Sequence, residues 1–137
     1  MSIVLDCSAT LAWIYPDETT DAVLAVFDQV IHQGAFVPEL WRTEIANCLT
    51  QGVRRSRITA IERSQSLSDL ANMGIITDNQ TGKHVWQESL ILADRHRLTV
   101  YDATYLELAL RLSLPLATLD DDLRRAAQDE GVTLLGK

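Results

Sequence analysis

Residues 2–13 read SIVLDCSATLAW, and the fold is decided there. Ile3, Val4 and Leu5 form an apolar run with no polar alternation, the pattern of a strand covered on both faces. The run ends at an acid, Asp6, and Ser8 follows at a good N-cap position ahead of a helical stretch. Open parallel sheets bind ligands just beyond the carboxyl ends of their strands. A carboxylate there, on a first and central strand, is placed for chemistry; taken alone, it reads equally well as a turn cap.

The rest of the chain alternates the same two units. Residues 17–33 carry Val23, Leu24, Phe27, Val30 and Ile31 at helical spacing, with Thr19 or Thr20 to cap the helix and Gly34 to stop it. Ala35, Phe36 and Val37 make a second strand. Residues 39–53 form a helix with Leu40, Trp41, Ile45, Cys48 and Leu49 on its apolar side. Arg54, Arg55 and Arg57 lie in a turn before a helix over residues 59–72, a hairpin with a basic tip. Residues 74–77 read as a third strand and 79–82 as a loop. Residues 83–96 are amphipathic through Val85, Trp86, Leu90, Ile91 and Ala93. A helix over 102–112, a buried strand over 114–119, a helix over 123–129 and a strand over 132–135 complete the chain. Strands alternating with helices imply an α/β fold with a short, mostly parallel sheet. No repeat or linker interrupts residues 1–137, which read as a single domain.

Composition narrows the function. A chain of 137 residues, 47% apolar and 23% charged, is globular and long enough to bury a core. There is no run to span a bilayer, and the first residues do not look like a signal peptide, so a cytoplasmic protein without a membrane role is expected. Cys7 and Cys48 have no metal-ligand spacing and read as structural thiols. A net charge of −7 argues against a simple nucleic-acid binder. It is compatible with action on phosphates if part of the charge gathers where a divalent cation sits.

Most acids lie on polar faces, but a few do not. Asp102 shares the i, i+3, i+4, i+7 set with Tyr105, Leu106 and Ala109, so it heads an apolar stripe, where an ionised carboxylate is costly unless paired or bound to a cation. An N-cap role is the other reading. Glu44 is flanked by Leu40, Ile45 and Cys48, and neither Arg42 nor Arg54 stands at the favourable spacing to pair with it. Asp120, Asp121 and Asp122 end a strand at the same sheet edge as Asp6; residue chemistry alone does not choose among them, since first-turn acids also suit the helix dipole. Asp6, Glu44, Asp102 and Asp120 would repel one another if gathered. An oxygen-seeking divalent cation, Mg²⁺ or Mn²⁺, resolves that, and it serves phosphodiester hydrolysis.

With these residues in view, the chain resembles the PIN-domain ribonucleases, and among them the VapC-type toxins of toxin–antitoxin pairs. The segments that carry the likeness are VLDCSA (4–9), PELWRTEIANCL (38–49), LTVYDATYLELAL (98–110) and LATLDDDL (116–123), in order and over essentially the whole length. The resemblance implies a three-layer α/β/α fold and a Mg²⁺- or Mn²⁺-dependent endoribonuclease, usually a homodimer, inhibited by a VapB-type antitoxin. It aligns Asp6, Glu44, Asp102 and Asp120 with the family's acidic quartet. Asp120 is preferred because it stands two residues after Thr118, in the family's T-x-D pattern. Asp6, Asp102 and Asp120 are then the metal ligands, Glu44 a helper, Asp122 an assistant through water, and Ser8 and Thr118 hydroxyls that orient acids or water.

Arg54, Arg55 and Arg57, with Arg42 nearby, are the candidates for contact with RNA phosphates, although a solvated face explains them as well. Trp13, Trp41 and Trp86 fall on apolar stripes and are expected in the core. His32, His84 and His96 share no spacing and receive no role. An aspartyl-phosphate enzyme fits poorly: Ser8 stands where a phosphatase of that type needs a second Asp, and a receiver domain would want paired acids and a late lysine. A PIN-like module that binds RNA or protein without cutting is the non-enzymatic alternative.

Overall fold

The apolar run at residues 3–5 becomes the middle strand of the protein. A computed structural model describes residues 1–137. In chain order the elements are β1 (Ile3–Leu5), α1 (Cys7–Ile14), a 3₁₀ turn (Pro16–Glu18), α2 (Asp21–Gln33), β2 (Ala35–Pro38), α3 (Leu40–Arg54) and α4 (Ala60–Ala71). There follow β3 (Ile75–Asp78), α5 (Thr81–His84), a π turn (Val85–Ser89), α6 (Leu90–His96), α7 (Val100–Leu112), β4 (Leu116–Ala117), α8 (Asp121–Asp129) and β5 (Leu134–Leu135). The strands form one five-stranded sheet in the order β3-β2-β1-β4-β5, every pairing parallel. This is the α/β fold with a parallel central sheet that the alternation of units implied.

Ile3, Val4 and Leu5 are all fully buried, which a strand achieves only when both faces of its sheet are covered. Val4 sits between Phe36 of β2 and Leu116 of β4. One contiguous core joins these residues to Val30, Val37, Ile45, Leu49, Leu106, Leu108 and Leu123. The chain lays β1, β2 and β3 outward on one side, then returns to place β4 and β5 on the other. The order therefore reverses between β1 and β4, and the crevice beyond that junction is where open α/β sheets bind ligands.

Several expectations shift. Of the two caps offered for α2, Thr20 is the one used, accepting from the Val23 N–H, and Pro16 opens a separate 3₁₀ turn before it. Ser8 is not the cap of α1; Asp6 is, accepting from the Ala9 N–H at 2.9 Å. Thr99, not Asp102, caps α7, which removes the capping explanation for Asp102. The expected strand over 114–119 narrows to Leu116–Ala117, although Pro115 and Thr118 still bond to the neighbouring strands through their backbones. The helix over residues 83–96 is the largest departure. The π turn at Val85–Ser89 rotates its faces, so Ser89, Leu92 and Ala93 turn inward while Trp86 is left 87% exposed. Trp41 is buried as expected, with its indole N–H on Thr10, and Trp13 packs edge-on against Phe27.

Gly34 ends α2 with φ of +77°, and a Cβ there would lie 2.8 Å from the Gly74 carbonyl oxygen. Gly131 has almost the same φ, +76°, but open space around it. Gly131→Ala therefore costs only left-handed backbone strain, about 1–2 kcal/mol. Gly34→Ala costs about 3 kcal/mol because the clash adds to the strain. Urea midpoints at unchanged slope measure the difference.

Candidate active site

The site is built at the reversal between β1 and β4. Asp6 follows β1 directly and is 4% exposed. Its Oδ1 accepts from the Ser8 hydroxyl at 2.7 Å and from the Ala9 N–H, and its Oδ2 accepts from the Thr118 hydroxyl, just past β4. The same two hydroxyls hold the facing segment: Ser8 Oγ accepts from the Leu119 N–H at 2.9 Å, and Thr118 Oγ1 from the Asp120 N–H at 3.1 Å. Ser8 and Thr118 thus hold Asp6 and join the two strand ends.

Burial pushes the Asp6 carboxyl up from 3.8 to about 6, and the Asp102 charge adds to the rise, against the lowering by Thr118, Ala9 and Ser8. Asp102, in the first turn of α7, is raised by desolvation and by Asp120 and Asp122. Glu44, half-buried on α3, is raised by desolvation and by Asp102, while the Tyr105 hydroxyl, donating to its Oε1, pulls it back down. Asp102 is therefore the hub, and every other acid of the expected quartet acts on it or feels it. Asp120 is exposed at the N-cap of α8, accepting from the Leu123 N–H.

Burial without a base separates Asp6, Glu44 and Asp102 from the rest: Asp21, Glu39, Glu62, Asp69, Asp94 and Asp129 are unpaired too, but exposed, as Asp120 is. Asp6, Glu44, Asp102 and Asp120 have no Lys, Arg or His within ion-pair distance. Asp121 is paired with Lys137 and Asp122 with Arg125, so of the three consecutive acids only Asp120 is left without a base. All donors are carboxylate or hydroxyl oxygens, the set a hard divalent cation prefers. As they stand, no three His, Cys, Asp or Glu side chains converge closely enough to grip one ion together. Asp6 is held by three local donors, Asp120 by the α8 backbone and Glu44 by Tyr105.

Of the basic candidates, Arg42, Arg54 and Arg55 are exposed and unpaired. Arg57 is not available: it pairs with Asp17 and Glu18 at 2.8 Å each and lies 3.6 Å over the Tyr15 ring, fastening the hairpin tip to the 3₁₀ turn. At about 1.5 Å of helix per residue, Arg54 stands about 15 Å along α3 from Glu44, whereas Arg42 is two positions away. The histidines lie elsewhere, His32 beside Asp28, His84 beside Glu88 and His96 beside Glu130. Sequence reasoning placed Tyr105 on the apolar stripe and missed its hydroxyl; only the packing of α7 on α3 shows it. It also missed that Cys7 and Cys48 meet, their sulfurs 3.9 Å apart beside the acids.

Comparison with known proteins bears on the family and the fold. The family model of the PIN domain matches residues 3–129. Ribonuclease VapC3 of Pyrobaculum aerophilum is 31% identical over 123 residues, 90% of this chain and 92% of that protein. Among solved structures, PAE2754 from Pyrobaculum aerophilum superposes with a TM-score of 0.70 at 22% identity, covering 98% of this chain and 89% of that one. FitAcB from Neisseria gonorrhoeae superposes at 0.59 with 18% identity, covering 98% and 96%. The chain that folds around this unpaired acidic edge belongs to the PIN-domain family.

Proposed function

We propose that this protein is a Mg²⁺- or Mn²⁺-dependent endoribonuclease, a VapC-type toxin held in check by a VapB-type antitoxin. The observation that carries the reading is three carboxyls raised by burial, Asp6, Glu44 and Asp102, linked through Asp102 on which Asp120 also acts, with no basic partner on any of them. A fold would be more stable with neutral residues there, so the charges answer to something outside the chain. The similarity to a protein named Ribonuclease VapC3 supports RNA as the substrate. The cytoplasm, a homodimer and a single PIN domain over residues 1–137 follow from the family resemblance and belong to the same proposal.

Asp6, Asp102 and Asp120 are the residues to hold the ion, with water completing its shell, since Mg²⁺ is commonly bound through only one or two carboxylates at a time. The ion supplies charge stabilisation at the phosphoryl oxygens. Asp6 is the fixed point, its oxygens aimed by Ser8, Ala9 and Thr118. Glu44, half-buried with its carboxyl raised, is suited to take a proton from the attacking water, and Tyr105 aims it. Asp122, paired with Arg125 and exposed, acts at most through water. Arg42, Arg54 and Arg55, exposed and unpaired on and just after α3, are the cations for RNA phosphates.

A labelled RNA is expected to be cut with Mg²⁺ or Mn²⁺ and left intact with EDTA, and Asp102→Asn to lose about 100-fold or more in rate. Cleavage that persists in EDTA overturns the metal; an RNA bound but never cut makes the protein a non-catalytic binding module. Tyr105→Phe is expected to cost roughly tenfold or more with an unchanged urea slope.

Asp6 also carries a pH signature. Its raised carboxyl means that the folded state holds this proton more tightly than the unfolded one. Metal-free stability therefore falls as pH rises from about 4 to about 6 and stays low above. In EDTA the parent is expected to lose roughly 2–3 kcal/mol relative to Asp6→Asn between pH 4 and pH 8. Added Mn²⁺ is expected to stabilise the parent only. Parent and variant stabilities that run parallel from pH 4 to pH 8 refute the assignment of desolvated charge to Asp6.

A further inference from the structure

Cys7 and Cys48 are the two cysteines of the chain, and both are free, partly buried thiols. They come from different helices and face each other with sulfurs 3.9 Å apart. Each is tied to an acid of the site. Cys7 follows Asp6 in sequence, and Cys48 lies four residues, one helical turn, after Glu44, so the two share a face of α3. A disulfide bond is about 2.0 Å long, so closure draws the two sulfurs, and with them the side chains that α1 and α3 carry, closer together.

We propose that Cys7 and Cys48 are a modification site: they close to a disulfide when they meet a low-molecular-weight disulfide, and closure displaces Asp6 relative to Glu44. The consequence for cleavage rests on the nuclease reading; the closure itself does not. One cysteine attacks the small disulfide, forming a mixed disulfide and releasing one small thiol. The second cysteine then attacks the protein sulfur of that mixed disulfide, forming the Cys7–Cys48 bond and releasing the other small thiol. The two cysteines lose two electrons and two protons; the small disulfide gains both and leaves as two thiols. Burial, Cys48 and Glu44 hold the Cys7 thiol in its protonated form, so exchange is slow and the reaction is followed over hours at mildly alkaline pH. A misplacement of about 1 Å at a reacting centre costs up to about 100-fold, so closure is expected to lower cleavage at least about tenfold.

The test incubates the full-length protein with excess glutathione disulfide, maps its peptides by mass spectrometry without reduction, and measures RNA cleavage and Mn²⁺ affinity before and after dithiothreitol. The proposal expects a Cys7–Cys48 linked peptide, a loss of cleavage that dithiothreitol reverses, and weaker Mn²⁺ binding while oxidised. Cys48→Ala and Cys7→Ser are each expected to cut RNA at the parent rate when reduced and to stop at a glutathione adduct on the remaining cysteine, without an internal link. Cysteines that end only as glutathione adducts, or a linked pair with unchanged cleavage and Mn²⁺ affinity, overturn it. If the reduced protein never cuts RNA, the nuclease reading fails instead. The peptide map and the Mn²⁺ titration then still decide whether the pair closes and whether closure disturbs the acids.

Discussion

A single buried carboxylate constrains the rest of this structure. Asp6 sits almost wholly out of water where the strand order reverses, and burial of a charge is costly unless donors surround it. Ser8, Ala9 and Thr118 supply those donors, and the two hydroxyls also bond to the backbone of residues 119 and 120. The network that makes Asp6 tolerable is therefore the same one that joins β1 to the chain leaving β4. Fold and site share one set of hydrogen bonds. Even so, the carboxyl remains raised to about 6, so the donors reduce the burden of burial without removing it.

The charges of the molecule divide into two populations. Asp17 and Glu18 are paired with Arg57, Asp78 and Glu107 with Arg111, Glu130 with Arg95, Asp121 with Lys137 and Asp122 with Arg125. These pairs tie distant segments together or settle exposed helix ends. The Arg111 group is the most enclosed of them, with Glu107 4% exposed, and there the pairing offsets desolvation. The unpaired acids are otherwise exposed, Asp120 among them, except for Asp6, Glu44 and Asp102. A net charge of −7 says nothing about those three; burial without a base does.

What could be read in the sequence was what local rules encode. Asp6 at the end of an all-apolar strand, Asp102 at the head of an apolar stripe and Glu44 among inward residues each violate a rule about where charge belongs, and a violation is visible without coordinates. Alternation of strand and helix likewise gave the parallel sheet. What could not be read depends on contacts across the chain. The Tyr105 hydroxyl looked like one more core aromatic because its acceptor lies on another helix, 61 residues away. Arg57 looked available because its partners precede it by about forty residues. Trp86 fitted a helical stripe, but a π turn has a different period, and nothing in a hydropathy pattern reports one. Cys7 and Cys48 had no shared spacing because spacing along a chain is silent about helices that cross.

Helix α7 carries more of the site than any other element. It presents Asp102 in its first turn and Tyr105 three residues on, positions that share a face of a helix. Asp102 repels Glu44 while Tyr105 holds it, so one helix both pushes and anchors the acid of another. Asp6 has three donors of its own and owes α7 only repulsion. A small rotation of α7 would thus move Asp102 and Glu44 together and leave Asp6 in place. The quartet is better understood as a fixed acid on the sheet, Asp6, a coupled pair on the helices, Glu44 and Asp102, and Asp120 at the α8 cap, with the spacing between Asp6 and the pair set by how α7 packs against β1 and β2.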